Sequence, residues 1–387
     1  MLLVASTSSA QSVPNSPTHS LSRATVVIDG AITELEAFRG LFLSADGKVL
    51  GLAEPRGEGL ALYSAQDGTR LGHAGRPGEG PGEVRILSNF GTAGSEVWIT
   101  DASLARLSFF GGAGRFARSI RLPSLQPGAG SRALPGTDRV LLGIIGVRTE
   151  GRLVSRVLPK YRDLPEWFRP DASPIIETDM EGRFLRILAW EPKPRGECLK
   201  EYTAPGGTAS IFVPFCSVDL VRVPRNGRYL AVLSHGTPSN NRSPFSITLL
   251  GPEGDTLFSR TLTARAERVT AQARDSALQA IERTMRMGRA RTGGLRPEDR
   301  AALTSLAVAE TYPATQDLLV GEDGVVWIRV HADGPRQHWL ALDVAGSLIG
   351  RYAFDAGVVP ASSNGRTVWA VSKDEDDVPS IVRYTFR

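Results

Sequence analysis

Lysine is almost missing from this 387-residue chain, whose 45 Lys and Arg residues are Arg apart from Lys48, Lys160, Lys193, Lys200 and Lys373. That skew reads as compositional bias ahead of any anion-binding role. The net charge of +4 excludes a strongly basic nucleic-acid surface, and no basic face is interleaved with aromatics. Histidine is scarce too: His19, His73, His235, His331 and His338 show no metal-ligand spacing. The two cysteines lack the nearby histidine a zinc site needs, so no metal and no cofactor is implied. No stretch approaches the roughly 18 apolar residues of a membrane span, and the chain is not expected to cross a bilayer. No nucleophile–base motif is present.

What is plentiful is glycine (41) and proline (25), on a background of 41% apolar and 22% charged residues. This is the composition of a globular protein with many tight turns. Met1–Gln11 ends in Ser8-Ser9-Ala10, small residues suited to signal-peptidase cleavage, although the basic region of a secretory signal is missing. The expectation is a signal remnant and flexible terminus over residues 1–20 and an extracytoplasmic (periplasmic or secreted) location. Cys198 and Cys216 then form either one disulfide or two separate buried thiols.

A hairpin signature recurs along the chain, a Gly or polar turn before a β-branched or aromatic strand: Asp46–Leu50, Gly94–Trp98, Gly136–Leu141, Asn226–Leu230, Asp323–Trp327 and Asn364–Trp369. Most neighbouring copies lie one propeller blade apart, roughly 40–50 residues. The intervals Leu141–Leu230 and Leu230–Trp327 are about double. A second set of turns, Asp67–Arg70, Gly112–Arg115, Glu253–Asp255 and Ala345–Ser347, follows within the repeats, and Met180–Phe184 supplies the same turn in the first long interval. Two hairpins per repeat make four strands, so the fold class is all-β, a six-bladed β-propeller of four-stranded antiparallel blades over residues 21–387.

The second long interval is helical in pattern. Val269, Ala273, Ala277, Ile281 and Met285 recur every four residues, Leu278 widens the stripe, and a second helix starts near Pro297 with Glu298 and Asp299 in its first turn. An α-helical hairpin insertion over 266–310 follows. The chain ends on a strand, Ile381–Arg387, while Ala24–Ile28 is a strand without a hairpin. Pairing them would close the ring, so deleting residues 24–30 is expected to do more damage than deleting 11–20.

Gly75-Arg76-Pro77-Gly78-Glu79-Gly80-Pro81-Gly82-Glu83-Val84, followed by Val97-Trp98-Ile99-Thr100-Asp101 and Arg106-Leu107, resembles the NHL-type repeat. More closely, the chain resembles exported bacterial six-bladed propeller proteins of NHL/TolB-like type, over about residues 35–125 and 312–387. The Gly-Glu-Gly-Pro-Gly-Glu loop and the Asp323–Trp327 turn carry the likeness. It implies a fold and an exported location and no activity, since propellers host unrelated functions.

Candidate residues are correspondingly few. The Gly75–Glu83 loop lacks the Gly-Lys-Ser/Thr ending of a phosphate loop and reads as a blade crossover. Asp101 and Arg106 read as partners that also satisfy backbone groups. His331 and Arg329 lie where a channel mouth is expected. Arg286 and Arg289, with Arg283, Arg291 and Arg296, make the insertion basic, and Lys373–Asp377 is an acidic hairpin tip without calcium-loop spacing. The reading is a monomeric binding scaffold for a small-molecule, peptide or glycan ligand, with a metal-dependent hydrolase or lyase at the channel mouth as the alternative.

Overall fold

The computed structural model describes residues 11–13, 18–19, 21, 24–33, 40–54, 59–126, 140–160, 165–169, 171–193, 197–204, 207–288, 294–332 and 334–386. It is a six-bladed β-propeller. Blade 1 runs through strands Gly40–Leu43, Val49–Ala53, Leu60–Ser64 and Arg70–Ala74, and blade 2 spans Leu87–Arg121. Blade 3 spans Val140–Pro192, blade 4 Leu220–Arg265 and blade 5 Thr315–Asp355. Each is an antiparallel meander. Blade 6 takes three strands from Val358–Thr385 and its fourth from Thr25–Ile28, with Ile28 opposite Ile381 and Val26 opposite Val382. The ring is therefore closed by hydrogen bonds between the two ends of the fold, as the unpaired strand of the sequence requires.

The core lies between the blades. Alternate residues of each strand face the neighbouring sheet, and the buried apolar side chains fall into interface clusters. Val27, Leu50 and Trp369 join blades 6 and 1, and Phe42, Phe90 and Ile99 join blades 1 and 2. The tryptophans of the signature sit fully inside these seams. Trp327 Nε1 donates to Ser363 Oγ of blade 6 at 3.0 Å, and Trp369 Nε1 donates to the Ala65 carbonyl of blade 1 at 3.3 Å. Two of the three signature tryptophans are thus stitches to the next blade, whereas Trp98 Nε1 donates to the Thr92 carbonyl of its own blade at 3.3 Å.

Three features depart from the sequence reading. The third signature is displaced: Val140–Arg148 is the innermost strand of blade 3, and the turn to its second strand is Thr149-Glu150-Gly151, where Gly151 has φ +71°. Residues 136–139 fall outside the described set. The connection between blades 3 and 4 holds an extra hairpin, Leu199–Ala204 with Gly207–Phe212. This hairpin packs through Ile211 and Tyr202 against the helices Ala271–Gly288 and Pro297–Thr304. The two long intervals of the repeat therefore meet in one satellite cluster beside the ring. Last, the N-terminal segment is tied on. Gln11–Ser12 pairs in parallel with the outer strand of blade 4, and Thr18–His19 with that of blade 5, where a flexible terminus was expected.

Candidate functional site

The innermost strands surround a central cavity of about 440 Å³ to which every blade contributes, through Leu41, Asn89, Ile145, Val221, Val320 and Ser362 in turn. Blade 4 breaks the symmetry. Its inner strand is only Leu220–Arg222, and Val223–Gly227 crosses the channel in place of a longer strand. The Arg225 carbonyl accepts the Thr92 N–H of blade 2 at 3.3 Å. The Gly227 carbonyl accepts Arg148 Nε of blade 3 at 2.8 Å, and Asn226 Nδ2 donates to the Glu322 carbonyl of blade 5 at 2.9 Å. This turn is the floor of the cavity.

Two inner-strand glycines permit the crossing. A Cβ on Gly91 would stand 2.3 Å from the Arg225 carbonyl oxygen, and one on Gly146 would stand 2.6 Å from Gly227 Cα. Backbone approaches backbone at both points, which is what glycine inside a strand commonly marks.

Arg225 rises from the floor along the wall between blades 1 and 2. Its guanidinium carbon lies 4.6 Å from the centre of the Phe90 ring, and Nη2 would lie 3.7 Å from a Cβ on Gly40. Among the described residues its guanidinium makes no hydrogen bond and no salt bridge. Phe90 covers one π-face, and no described residue hydrogen-bonds the N–H edge. Burial works against the guanidinium's charge, opposed by Glu322, but arginine does not give up its proton in proteins. A partly buried cation with no anionic partner among the described residues is therefore a feature of this cavity.

Glu322, also lining the cavity, is 5% exposed. Burial pushes its carboxyl up to about 8, against the N–H groups of Asn226 and Arg225 and the charge of Arg225. At neutral pH it is mostly protonated and does not neutralise the arginine. Neighbouring Asp323 is raised by burial, offset by the N–H groups of Val325 and Gly365. Other lining charges are already matched, Arg222 with Asp317 at 3.4 Å and Arg156 with Glu191 at 2.7 Å.

The floor rests on a buried ion network. Arg148 Nη1 donates to Glu177 Oε1 at 2.5 Å, with side chains 2% and 1% exposed. Arg186 Nε reaches the other carboxylate oxygen at 2.7 Å. Arg148 also donates to the Pro252 carbonyl, so one guanidinium joins blade 3 to two of the turns of blade 4.

The residues singled out from sequence lie elsewhere. Asp101 and Arg106 face each other in register, yet each is spent on the crossover loop. Burial opposes the Asp101 charge, but Ser103 Oγ and the N–H groups of Arg85, Ile86 and Leu104 outweigh it and hold the carboxyl below the usual range. Arg106 donates to the carbonyls of Glu79, Gly80 and Glu83. In place of the expected pairing, Arg106 clamps the Gly75–Glu83 loop and Asp101 holds the backbone that follows it at Arg85 and Ile86. His331 stacks on Tyr312 at 4.0 Å and meets Glu267 at 3.2 Å, outside the cavity lining. Arg329 is one strand behind the wall, opposite Asp317. Arg286 pairs with Glu282 on the exposed helix, and Arg289 falls outside the described residues. Cys198 and Cys216 form a disulfide with Cα atoms 5.4 Å apart.

A second cavity of about 260 Å³ adjoins that disulfide and His235. There Asp219 Oδ1 accepts the His235 backbone N–H at 2.7 Å, and His235 Nε2 meets Thr315 Oγ1 at 2.8 Å. The order Asp-His-Thr resembles a hydrolytic relay, but Thr315 is 3% exposed. Its hydroxyl serves as a tie between blades 4 and 5.

No protein-family model matches the sequence, and no curated protein matches it. Solved structures are similar in shape. A Bacteroides fragilis protein inferred to be exported shares 12% identity over 98% of each chain at a TM-score of 0.45. A member of the DUF4221 family from Bacteroides vulgatus shares 9% over 95% of this chain and 97% of its own, at 0.46. A TolB-like protein from Agrobacterium tumefaciens shares 11% over 91% of each, at 0.36. No residue role or activity transfers from them at such identities.

Arg225 and Glu322 were not singled out from sequence. Each stands directly before or within a turn signature, Asn226-Gly227 and Asp323-Gly324, where turn chemistry accounts for the neighbours and hides them. The available signal was glycine inside the inner strands, at Gly91 and Gly146.

Proposed function

We propose that this chain is an extracytoplasmic propeller that binds a small ligand in its central cavity. The observation that carries the reading is the floor: a channel crossed at one end by Val223–Gly227 is a pocket, and its volume lies in the range of small-molecule sites. The Cys198–Cys216 bridge supports an oxidising compartment. No helix among the described residues is long and apolar enough to cross a membrane. The metal-dependent hydrolase or lyase is the weaker reading, because among the described residues no three His, Cys, Asp or Glu side chains converge as a metal site.

The test is a thermal-shift screen of small molecules against the wild type and Ala361→Phe, a substitution in the cavity wall. Compounds that raise the wild-type melting temperature should leave the filled variant unmoved. Equal shifts in both proteins would place binding elsewhere and defeat the reading.

A further inference from the structure

We infer that the cavity takes a small organic oxyanion, a carboxylate or a phosphate monoester with an apolar body, seated with its charged group on Arg225. This rests on the cavity reading above and names the ligand's chemistry. The Arg225 guanidinium is unmatched among the described residues. A charge partly withdrawn from water without an ion pair or hydrogen bonds carries a desolvation cost, and protein charges so placed are ordinarily paired. Here the other basic side chains of the lining have carboxylate partners within the fold, Arg222 with Asp317 and Arg156 with Glu191. Arg225 has an aromatic face and, among the described residues, no side-chain hydrogen bond or ion pair.

Geometry selects the anion. A planar fork of N–H donors matches the two oxygens of a carboxylate or phosphate, and the charge-assisted pair is strengthened by the enclosed setting. Glu322 sits at the same end of the cavity and, holding its proton, offers a donor to the bound oxygen in place of a repelling charge. Between the polar side chains Asn89 and Ser362 and the paired Arg156, Arg222 and Asp317, the wall presents an apolar strip of Leu41, Ile145, Ile175, Val221 and Leu319. A bare inorganic ion would leave that surface wet, whereas an apolar body attached to the anion would cover it. Ligand and pocket thus share a charged group at Arg225 and an apolar strip beside it.

Calorimetric titration of the full chain with benzoate, phenyl phosphate and neutral benzamide tests the assignment, using wild type, Arg225→Gln, Arg225→Lys and Ala361→Phe. At least one of the two anions should bind wild type, and whichever binds more tightly identifies the oxyanion. Loss of the charge-assisted contact in Arg225→Gln should weaken it by about tenfold or more, with Arg225→Lys in between because it keeps charge and loses the fork. Benzamide binding as tightly as the anions, wild-type affinity in Arg225→Gln, or no anion bound at millimolar concentration would each overturn the proposal. Anion binding that persists in Ala361→Phe would instead overturn the cavity reading itself. Arg225→Gln removes an uncompensated charge and should melt at or above wild type, so lost binding cannot be assigned to lost fold.

Discussion

Replacing Glu322 by Gln tests the electrostatics of the cavity floor through stability alone. The carboxyl is 5% exposed, and burial raises it from 4.5 to about 8. In the unfolded chain it ionises near its ordinary value. Between those two points the folded protein holds a proton that the unfolded chain has released, so unfolding becomes easier as pH rises. The favourable contribution is complete below about pH 4.5 and lost progressively up to about pH 8, at a limiting slope of about 1.4 kcal/mol per pH unit. Gln keeps the shape and cannot titrate. Urea midpoints of both proteins from about pH 5 to 9 should therefore diverge, close together at the acid end, with the Gln variant ahead by several kcal/mol at the alkaline end. Subtracting the curves cancels groups common to both, including raised Asp323. Parallel curves across this window, or a wild type that gains on the variant as pH rises, would refute a buried, protonated Glu322.

Truncating the ion network under the floor, as in Arg148→Ala, leaves Arg186 on the buried Glu177 carboxylate but orphans the Gly227 and Pro252 carbonyls, and should cost about 1–3 kcal/mol by chemical denaturation. Gly146→Ala pushes a methyl against Gly227 Cα; a loss of about 1–3 kcal/mol is expected, and unchanged stability would mean the floor does not lie where it is described. Removing residues 1–30 takes away the closing strand and should lower the melting temperature far more than removing residues 1–20, which leaves Thr25–Ile28 in place but strips two short parallel strands, so that the shorter deletion should also be measurable. Cys198→Ala with Cys216→Ala opens a loop of sequence separation 18 and should cost about 3 kcal/mol, with a thiol count before and after reduction as the check that the bridge was present.

The ring was legible because its local rules are strict. Asp46-Gly47, Gly94, Asn226-Gly227, Asp323-Gly324 and Asn364-Gly365 each sit at the turn between first and second strands, and five positive-φ glycines hold those turns. Closure by Thr25–Ile28 was legible from an unpaired strand at each end. The displaced copy at Gly136 shows the limit, since a glycine before an apolar run looks the same whether the run is the first strand or the second. The site was hidden for a different reason. Arg225, Glu322, Gly91 and Gly146 come from blades 2, 3, 4 and 5, and nothing in their local patterns says that a turn will bridge a channel. The satellite hairpin 199–212 was likewise invisible because its partner surface, Leu278, Ile281 and Ala302, lies far along the chain.

A ring of blades ordinarily behaves as a chain of nearest neighbours, in which one weak seam can part while the rest hold. The crossing turn changes that mechanics. By bonding blade 4 to blade 2 through Arg225 and Thr92, with blades 3 and 5 gripped on either side, it acts as a spoke. Four of the six blades share one short segment of backbone and must let go of it together. Opening should then start at the seams of blades 6 and 1, where the two ends of the chain meet, and the half of the wheel that carries the pocket should be the last to yield.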